Sequence, residues 1–467
     1  MTALFLPCAG GTEALLADEL RRLVDKRAAR TIETTRGGAW VEGDEVLAMR
    51  LNLESRLALR VLWPLIEGRY RDEHDLHDLA LRVHWADWIT PEQTLRVDVT
   101  AQRSPLRSLN FAALRIKDAV CDQLRETTGA RPSVDTRRPD LPIALFVGPE
   151  QATIYVDTSG DALFKRGWRE DVGEAPLKET LAAALLAAAG WQGRAEDGPL
   201  LDPCCGAGTI AIEAAQLACG MAPGAQRRFA FERQGPFRTH AAAWTSLKQQ
   251  ALARVHAPAV PVFAGDVSFR MTDFATRNAE RAGVRHAIEF KTADALQRPP
   301  PAPRGVIVMN PPYGERIDAK GTGSLAHAGT GAGAGAGPFA DSGLNTGQRQ
   351  ASRQTSRQSS RQAPGPAPSA RQGFDDEETP AEFYASLAAH WKRQYAGWSA
   401  WLLSPDARLP SLMRLKESRR VPLFNGGIEC RLMRFDMVAG SNKPPPAASA
   451  ENAADEAADQ APADGST

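Results

Sequence analysis

Hydrophobic and polar positions in the first third of the chain follow both strand and helix periods. Polar and apolar residues alternate strictly over Thr94–Thr100, which predicts a half-buried strand. Apolar residues recur at helical spacing from about Thr12 and again over Asn110–Leu124, which predicts two amphipathic helices. Two apolar runs flank Gly148-Pro149 and predict a hairpin, and residues 53–66 are expected to form helix and then strand. This mixture predicts a compact α+β unit.

The later part of the chain alternates short apolar runs with helical patterns, as α/β folds do. Buried strands are predicted to end at Asp202 and at Met309. A helical pattern resumes over Thr379–Ser399, and an apolar strand follows at Ala400–Leu403. A final hairpin is expected to turn at Asn425-Gly426.

Two segments have compositions that cannot build a hydrophobic core. Residues 319–372 contain Ala-Gly repeats, Arg-Gln-x-Ser units and Pro-Ala repeats, and residues 440–467 are rich in Pro, Ala and acidic side chains. We therefore predict a disordered insertion and a disordered acidic tail. The arginines of the insertion either add nonspecific affinity for nucleic acid or belong to a tolerated loop expansion.

The formal net charge is zero, because 56 Lys and Arg balance 56 Asp and Glu, yet the charges are unevenly spread. Residues 101–138 hold eight basic and four acidic side chains. Such a patch fits a nucleic-acid contact or a solvated mixed-charge face, and charge alone leaves both open.

Cysteine usage and hydropathy limit the class of protein. The six cysteines are scattered without a Cys-x-x-Cys pair, which favours a reducing cytosol over a disulfide framework or a zinc ribbon. No stretch reaches the roughly 20 uninterrupted apolar residues that span a membrane. Residues Met1–Pro7 lack the basic region of a signal peptide. We expect a cytoplasmic protein with no membrane partner and no metal.

The first candidate site is Asn310-Pro311-Pro312-Tyr313, directly after a predicted buried strand. Open α/β sheets bind ligands at the carboxyl ends of their strands. An Asn oxygen and the carbonyl of the following Pro can accept hydrogen bonds from both N–H groups of a planar exocyclic amine, and a Tyr ring can stack on the base. The two prolines stiffen the backbone. Taken alone, the tetrapeptide also fits a simple turn after a strand.

The second candidate site is the glycine-bearing loop between Asp202 and Thr209, which precedes an Ala-rich helical pattern. Gly206 and Gly208 let the backbone approach a ligand closely, and the amino end of the helix attracts an anionic group such as a carboxylate. The spacing matches neither Gly-x-Gly-x-x-Gly nor a P-loop. We interpret Cys204 and Cys205 as packing or lining residues, because no activating base is near in the sequence.

The two motifs together carry a resemblance. Asp-Pro-x-Cys-Gly-x-Gly-Thr, starting at Asp202, followed by Asn-Pro-Pro-Tyr-Gly-Glu-Arg, starting at Asn310, is similar to class I S-adenosylmethionine-dependent methyltransferases that act on exocyclic amines of bases. More narrowly, the chain resembles RNA guanine-N2 methyltransferases that carry a THUMP domain, and especially those of large-subunit ribosomal RNA. The resemblance implies an α/β, Rossmann-like methyltransferase domain preceded by an α+β ferredoxin-like/THUMP RNA-binding region.

The resemblance also implies site residues and S-adenosyl-L-methionine as the cofactor. The catalytic residues would be Asn310, Pro311, Pro312 and Tyr313. The cofactor-binding residues would be Asp202, Pro203, Cys205, Gly206, Gly208, Thr209, Asp266, Asp294 and Asn310. Asp266 would hold the ribose hydroxyls and Asp294 the adenine amine. The chain departs from the family at Gly265–Ser268, where Gly-x-Asp-Ile-Asp is usual, whereas Arg277–Gly283 matches.

Residues expected to contact RNA lie in two places. The stretch around Arg115 and Lys117 resembles part of a THUMP domain, which grips structured RNA through phosphates and shape. The segment Lys165–Arg169 places three cations around an aromatic ring, from which we predict RNA contacts by Lys165, Arg166, Trp168 and Arg169. A solvated helix face and a solvated linker are the respective alternatives.

By resemblance, we predict five parts of the chain. They are a ferredoxin-like part at 1–50, a THUMP domain at 51–160, a linker and helix at 161–180, a methyltransferase domain at 181–439 and the tail at 440–467.

The expected function is methylation of an exocyclic amine in structured RNA, by family guanine N2 in 23S ribosomal RNA. The alternatives are a DNA adenine-N6 methyltransferase, a transfer-RNA guanine-N2 methyltransferase and an RNA-binding assembly factor without catalysis. The choice of guanine over adenine depends on the resemblance alone.

Overall fold

A computed structural model describes residues 1–24, 30–173, 176–311 and 380–438, which form two β-sheets with flanking helices. The elements of the amino-terminal half are β1 (Thr2–Pro7), α1 (Glu13–Leu23), β2 (Ile32–Thr35), β3 (Gly38–Gly43), α2 (Glu45–Glu54), β4 (Leu62–Arg69), α3 (Glu73–Leu81), β5 (Thr94–Ala101), α4 (Leu109–Thr128), β6 (Ser133–Val134), β7 (Leu141–Val147) and β8 (Gln151–Asp157).

The amino-terminal sheet has eight strands in the order β2-β3-β1-β4-β8-β7-β5-β6. Strands β1 and β4 pair antiparallel through Phe5 and Leu62, and this pairing joins the first three strands to the other five. Helix α4 begins where the Ser108 hydroxyl accepts a hydrogen bond from the Phe111 N–H, and ends at Gly129 in the left-handed conformation. The regions expected to be ferredoxin-like and THUMP therefore share one continuous sheet.

The carboxyl-terminal half forms a seven-stranded sheet in the order β11-β10-β9-β12-β13-β15-β14. Its elements are α5 (Glu179–Ala189), β9 (Leu200–Asp202), α6 (Thr209–Ala218), α7 (Gly235–Arg238), α8 (Ala241–Ala253), β10 (Val262–Asp266), α9 (Phe269–Arg281), β11 (Ile288–Thr292), β12 (Gly305–Met309), α10 (Pro380–Gln394), β13 (Trp398–Ser404), α11 (Leu409–Met413), β14 (Arg419–Asn425) and β15 (Ile428–Asp436). Among the described strands of this sheet, only β15 runs antiparallel to its two neighbours. The strand order reverses between β9 and β12, the position at which open α/β sheets bind ligands.

The two halves pack against each other through the segment between α6 and α8. Phe231 and Phe237 lie with their ring centroids 5.5 Å apart, and Phe237 meets Trp63 of β4 edge to face. The Gln234 side-chain amide donates to the carbonyl of Asp157 at the end of β8. On the other side, the Phe424 N–H donates to the Gly10 carbonyl, which brings the last hairpin against the amino-terminal sheet.

The predicted fold class is confirmed, and most predicted elements are present. Two predictions are wrong in detail. Helix α2 ends at Glu54, so 53–66 contains an irregular segment before β4 rather than a helix. Asn425 is the last paired residue of β14, and the turn is Gly426-Gly427, where Gly426 supplies the positive φ.

Several predictions lie outside the described residues or are not decided by them. The insertion 319–372 and the tail 440–467 belong to the first group. The domain boundaries stay a prediction. Within the described ranges, no helix is long and apolar enough to cross a membrane, and no group of His, Cys, Asp or Glu could hold a metal ion.

Candidate functional site

Three strand ends converge at the point where the order of the sheet reverses. Strands β9, β10 and β12 are parallel, with Asp202 opposite Ala264 and Leu201 opposite Ile307. Asp202, Asp266 and Asn310 therefore lie at the same edge of the sheet, although more than one hundred positions separate the first from the last in the sequence.

The loop after β9 is fastened to the end of β10. The Gly206 N–H donates to the Asp266 carboxylate at 3.0 Å, and the Cys205 N–H donates to the Gly265 carbonyl at 2.7 Å. Gly206 and Gly208 have φ of +51° and +88°, in the left-handed region. A Cβ on Gly206 would meet nothing within 4 Å, whereas one on Gly208 would lie 2.9 Å from the Ala275 Cβ. Gly206 therefore leaves space for a ligand, and Gly208 permits close packing of the loop on α9.

Asp202 is buried, with 1% of its surface exposed. Neither carboxylate oxygen has a hydrogen-bond partner of regular geometry among the described residues. Burial raises the pKa of this carboxyl well above its usual value, and Asp266 adds to the increase, whereas the Cys204 N–H and the Arg298 guanidinium oppose it. A buried carboxyl group without hydrogen-bond partners, at the sheet edge where α/β folds bind ligands, fits a bound cation such as an ammonium group.

The other two candidate carboxylates are held by local hydrogen bonds. Asp266 accepts from Ser268 N–H as well as from Gly206, and burial raises its pKa. Asp294 follows β11 and accepts from the Leu296 N–H at 2.8 Å and from the Gln297 amide at 3.1 Å. Both carboxylates are thus positioned by the protein before a ligand arrives.

Asn310 and Pro311 follow β12 directly. Asn310 is half-buried and Pro311 is buried, and Ile307, Val308 and Met309 before them are fully buried. This buried strand therefore fixes the backbone position of Asn310. Pro312 and Tyr313 lie outside the described residues, so their predicted roles stay predictions.

The remaining loop residues are packed into the protein. Pro203 is buried, Cys205 is 7% exposed and Thr209 is the first residue of α6. Burial raises the pKa of the Cys204 and Cys205 thiols well above their usual range, and the nearby aspartates add to the effect. Both thiols are therefore neutral, and neither has the thiolate character of a nucleophile.

The predicted RNA contacts of the linker need correction. Arg166 is 2% exposed and donates to the Glu213 carboxylate and to the carbonyls of Leu163 and Arg56. Trp168 is 1% exposed. Direct contact with RNA is incompatible with this burial, so the prediction is wrong for both residues.

The other basic candidates differ in exposure. Lys165 is exposed and paired with Asp161, and Arg169 is mostly buried against Glu179. Arg115 and Lys117 are partly exposed on α4 and share Asp118, at 3.6 Å and 2.6 Å. Lys165, Arg115 and Lys117 remain predicted RNA contacts.

Sequence reasoning missed Arg298 and Asn278. Arg298 is 3% exposed, and its guanidinium lies against Gly265 behind the loop. Nothing in its sequence context indicates burial. Asn278 donates to the Ala207 carbonyl at 3.0 Å, and its position inside the family-like stretch Arg277–Gly283 was a usable signal.

Family models match three consecutive regions of the chain. An RlmL ferredoxin-like domain matches residues 3–62, a THUMP domain matches 70–157, and an RMKL-like methyltransferase domain matches 166–328. The fold and the matched regions define a class I methyltransferase with a THUMP region. The chain is therefore similar to the THUMP-containing, RMKL-like methyltransferases, and its cofactor is S-adenosyl-L-methionine.

Individual relatives agree with this family. A ribosomal RNA large subunit methyltransferase K/L from Syntrophotalea carbinolica is 34% identical over 91% of this chain and 52% of its own length. The chain thus spans about half the length of that relative. A possible methylase from Clostridium difficile 630 has a TM-score of 0.72 at 25% identity, over 95% of this chain and 99% of that one. SMU.472, described as a putative methyltransferase and solved with SAH, has a TM-score of 0.73 at 23% identity, over 93% of this chain and 98% of that one.

Proposed function

We propose that this chain transfers a methyl group from S-adenosyl-L-methionine to an exocyclic amine in RNA, namely guanine N2 of 23S ribosomal RNA. The observation that carries the proposal is the position of Asn310 and Pro311 after β12, at the sheet edge that also holds Asp202 and the loop Gly206–Gly208. The relative's description as a large-subunit ribosomal RNA methyltransferase supports the choice of RNA.

The residues at the strand ends fit the cofactor by their chemistry. The unsatisfied Asp202 carboxyl suits the ammonium group, and the amino end of α6 suits the carboxylate. Asp266 suits the ribose hydroxyls and Asp294 the adenine amine. When bound, the cofactor supplies an electrophilic methyl group on a sulfonium.

On the acceptor side, Asn310 and Pro311 bind the amine that is to be methylated. The Asn310 side-chain oxygen and the Pro311 carbonyl accept hydrogen bonds from its two N–H groups, which leaves the nitrogen lone pair aimed away from them. Tyr313 would stack on the base after it leaves its own stack. Positioning of this kind can contribute roughly 7–11 kcal/mol to lowering a barrier.

Contacts to RNA outside the acceptor site come from the amino-terminal half. Arg115 and Lys117 lie on α4 of the region that matches a THUMP domain, and Lys165 is exposed at the start of the linker. Cations so placed bind phosphates and fix the position of a structured RNA without reading its sequence.

The Asn-Pro-Pro-Tyr chemistry also fits adenine N6, so the experiment must separate nucleic acids and bases. The purified chain is incubated with methyl-labelled cofactor and either unmodified 23S ribosomal RNA, transfer RNA or duplex DNA, and the nucleosides are identified by mass spectrometry. We expect N2-methylguanosine in ribosomal RNA. Label confined to adenine in DNA would contradict the proposal. Label confined to transfer RNA would mean that the substrate is transfer RNA instead of 23S ribosomal RNA.

A further inference from the structure

The linker between the two halves of the molecule contacts the loop between Asp202 and Thr209, which we call the cofactor loop. We call residues 166–171 the linker strap. Within it, the Arg169 guanidinium donates to the Glu179 carboxylate at 2.7 Å, to the Leu177 carbonyl at 3.2 Å and to the Thr209 hydroxyl at 2.8 Å. Arg169 therefore ties the start of α5 to the start of α6.

The opposite side of the strap is held by α9. Asn278 is fully buried, and its amide donates to the carbonyls of Asp171 and Ala207. Its side-chain oxygen accepts from the Arg281 guanidinium at 2.6 Å. Arg281 also donates to the Trp168 carbonyl and to the Asp171 carboxylate.

These contacts fix both ends of the tripeptide Ala207–Thr209. Arg169 holds the hydroxyl of Thr209 at its end, and Asn278 holds the carbonyl of Ala207 at its start. Gly208 between them has φ of +88° and caps α6. This tripeptide sets where the free N–H groups of the helix point, and those groups are the ones that face an anion.

We infer that Arg169 and Asn278 are positioning residues for the cofactor, and that the linker strap serves cofactor binding rather than RNA binding. The inference rests on the proposed cofactor assignment. The part of the ligand that depends on the strap is the amino-acid end, because its carboxylate would meet the amino end of α6. The adenosine end would depend on Asp266 and Asp294, which the strap does not touch.

The test uses the full chain and two ligands that differ only at that end. S-adenosylhomocysteine carries the amino-acid group, and 5′-methylthioadenosine lacks it. Dissociation constants are measured by calorimetry for Arg169→Lys, which keeps a charge beside Glu179 without the bridging geometry, and for Asn278→Ala. We expect S-adenosylhomocysteine to bind about tenfold or more weakly in each variant, and 5′-methylthioadenosine to change less than about twofold.

Two controls separate positioning from folding. Asn52 is a matched buried amide, 1% exposed, that donates to the Ala48 carbonyl and to the Thr158 hydroxyl, neither of which belongs to the cofactor loop. Asn52→Ala should lower the melting temperature as Asn278→Ala does, but leave the affinity for S-adenosylhomocysteine unchanged. Lys165→Gln should also leave that affinity unchanged.

Two outcomes would overturn the inference, and a third would overturn the proposed function. Equal weakening of both ligands in the strap variants would mean a general loss of structure. Unchanged S-adenosylhomocysteine binding with weakened RNA binding would restore the RNA role. Absence of S-adenosylhomocysteine binding by the unaltered chain would instead contradict the proposed function itself.

Discussion

At the residue scale, Asp202 has the most unusual environment in the site. Its folded-state pKa is raised, chiefly by burial and further by Asp266, against the opposing effects of the Cys204 N–H and Arg298. A raised carboxyl pKa contributes stability that is present below the unfolded-state pKa and is lost as the pH rises through the folded-state pKa. The ionised side chain thus destabilises the unliganded protein, and a ligand ammonium group would offset that cost.

Asp202→Asn should therefore have opposite effects on stability and on binding. Without ligand, the variant should gain melting temperature relative to the unaltered chain at about pH 8, and the gain should shrink towards about pH 5. Its affinity for S-adenosylhomocysteine should fall, because the neutral amide no longer attracts the ammonium group. Thermal unfolding at both pH values and calorimetry measure the two effects. A lower melting temperature at about pH 8 would contradict this account.

At the element scale, the loop before α6 contains two glycines with different tasks. An alanine at either position must adopt positive φ, at a cost of about 1–2 kcal/mol. Gly208→Ala should lose further stability, because its Cβ would press on Ala275. Gly206→Ala meets no protein atom, so its additional effect should fall on ligand binding.

The pair of variants is compared by melting temperature and by affinity for S-adenosylhomocysteine. We expect Gly208→Ala to lower the melting temperature more than Gly206→Ala does. Relative to the loss of melting temperature, Gly206→Ala should cause the larger loss of affinity for S-adenosylhomocysteine. The reverse order would mean that the ligand does not occupy the space beside Gly206.

Helices and strands could be predicted from the sequence where the apolar periodicity extended over many residues. The prediction failed for side chains whose burial depends on a partner that is distant in the sequence. The strict alternation over Thr94–Thr100 and the helical period over Asn110–Leu124 gave β5 and α4. The motifs after β9 and β12 could be placed at one sheet edge, because parallel strands align their carboxyl ends. Arg166 was misinterpreted because its partner Glu213 is 47 positions away, on α6. No local pattern reveals so distant a counter-ion.

At the scale of the whole molecule, a buried charge cluster joins the two halves. Glu213 on α6 is fully buried and accepts from Arg56 of the amino-terminal half and from Arg166 of the linker, each at 3.0 Å. Arg56 also donates to the Met221 carbonyl. The helix that follows the cofactor loop is thereby fixed to the region that matches the ferredoxin-like domain.

Glu213→Gln should lower the free energy of unfolding by about 3 kcal/mol or more, since it removes the carboxylate with which both buried guanidinium groups form ion pairs. Urea unfolding measures the change. Glu429→Gln is the control, because Glu429 pairs with Arg431 at the surface and should cost less than about 1 kcal/mol. Equal effects of the two substitutions would contradict the structural role of the buried cluster.

RNA binding is tested on the same scale through its salt dependence. If Arg115 and Lys117 contact phosphates, the double variant Arg115→Gln/Lys117→Gln should reduce the slope of log affinity against log salt by about 1 to 2. S-adenosylhomocysteine affinity should not change, because α4 lies in the amino-terminal half. An unchanged slope in a filter-binding titration would leave both residues as part of a solvated helix face.

In the proposed function, Asn310 presents a guanine amine to the cofactor. A comparison of the unaltered chain with Asn310→Ala tests this role. Both are incubated with unmodified 23S ribosomal RNA and methyl-labelled cofactor, and the product nucleosides are identified by mass spectrometry. We predict labelled N2-methylguanosine with the unaltered chain, and at least about 100-fold less of it with Asn310→Ala. Label in another base, or undiminished N2-methylguanosine from the variant, would contradict the account.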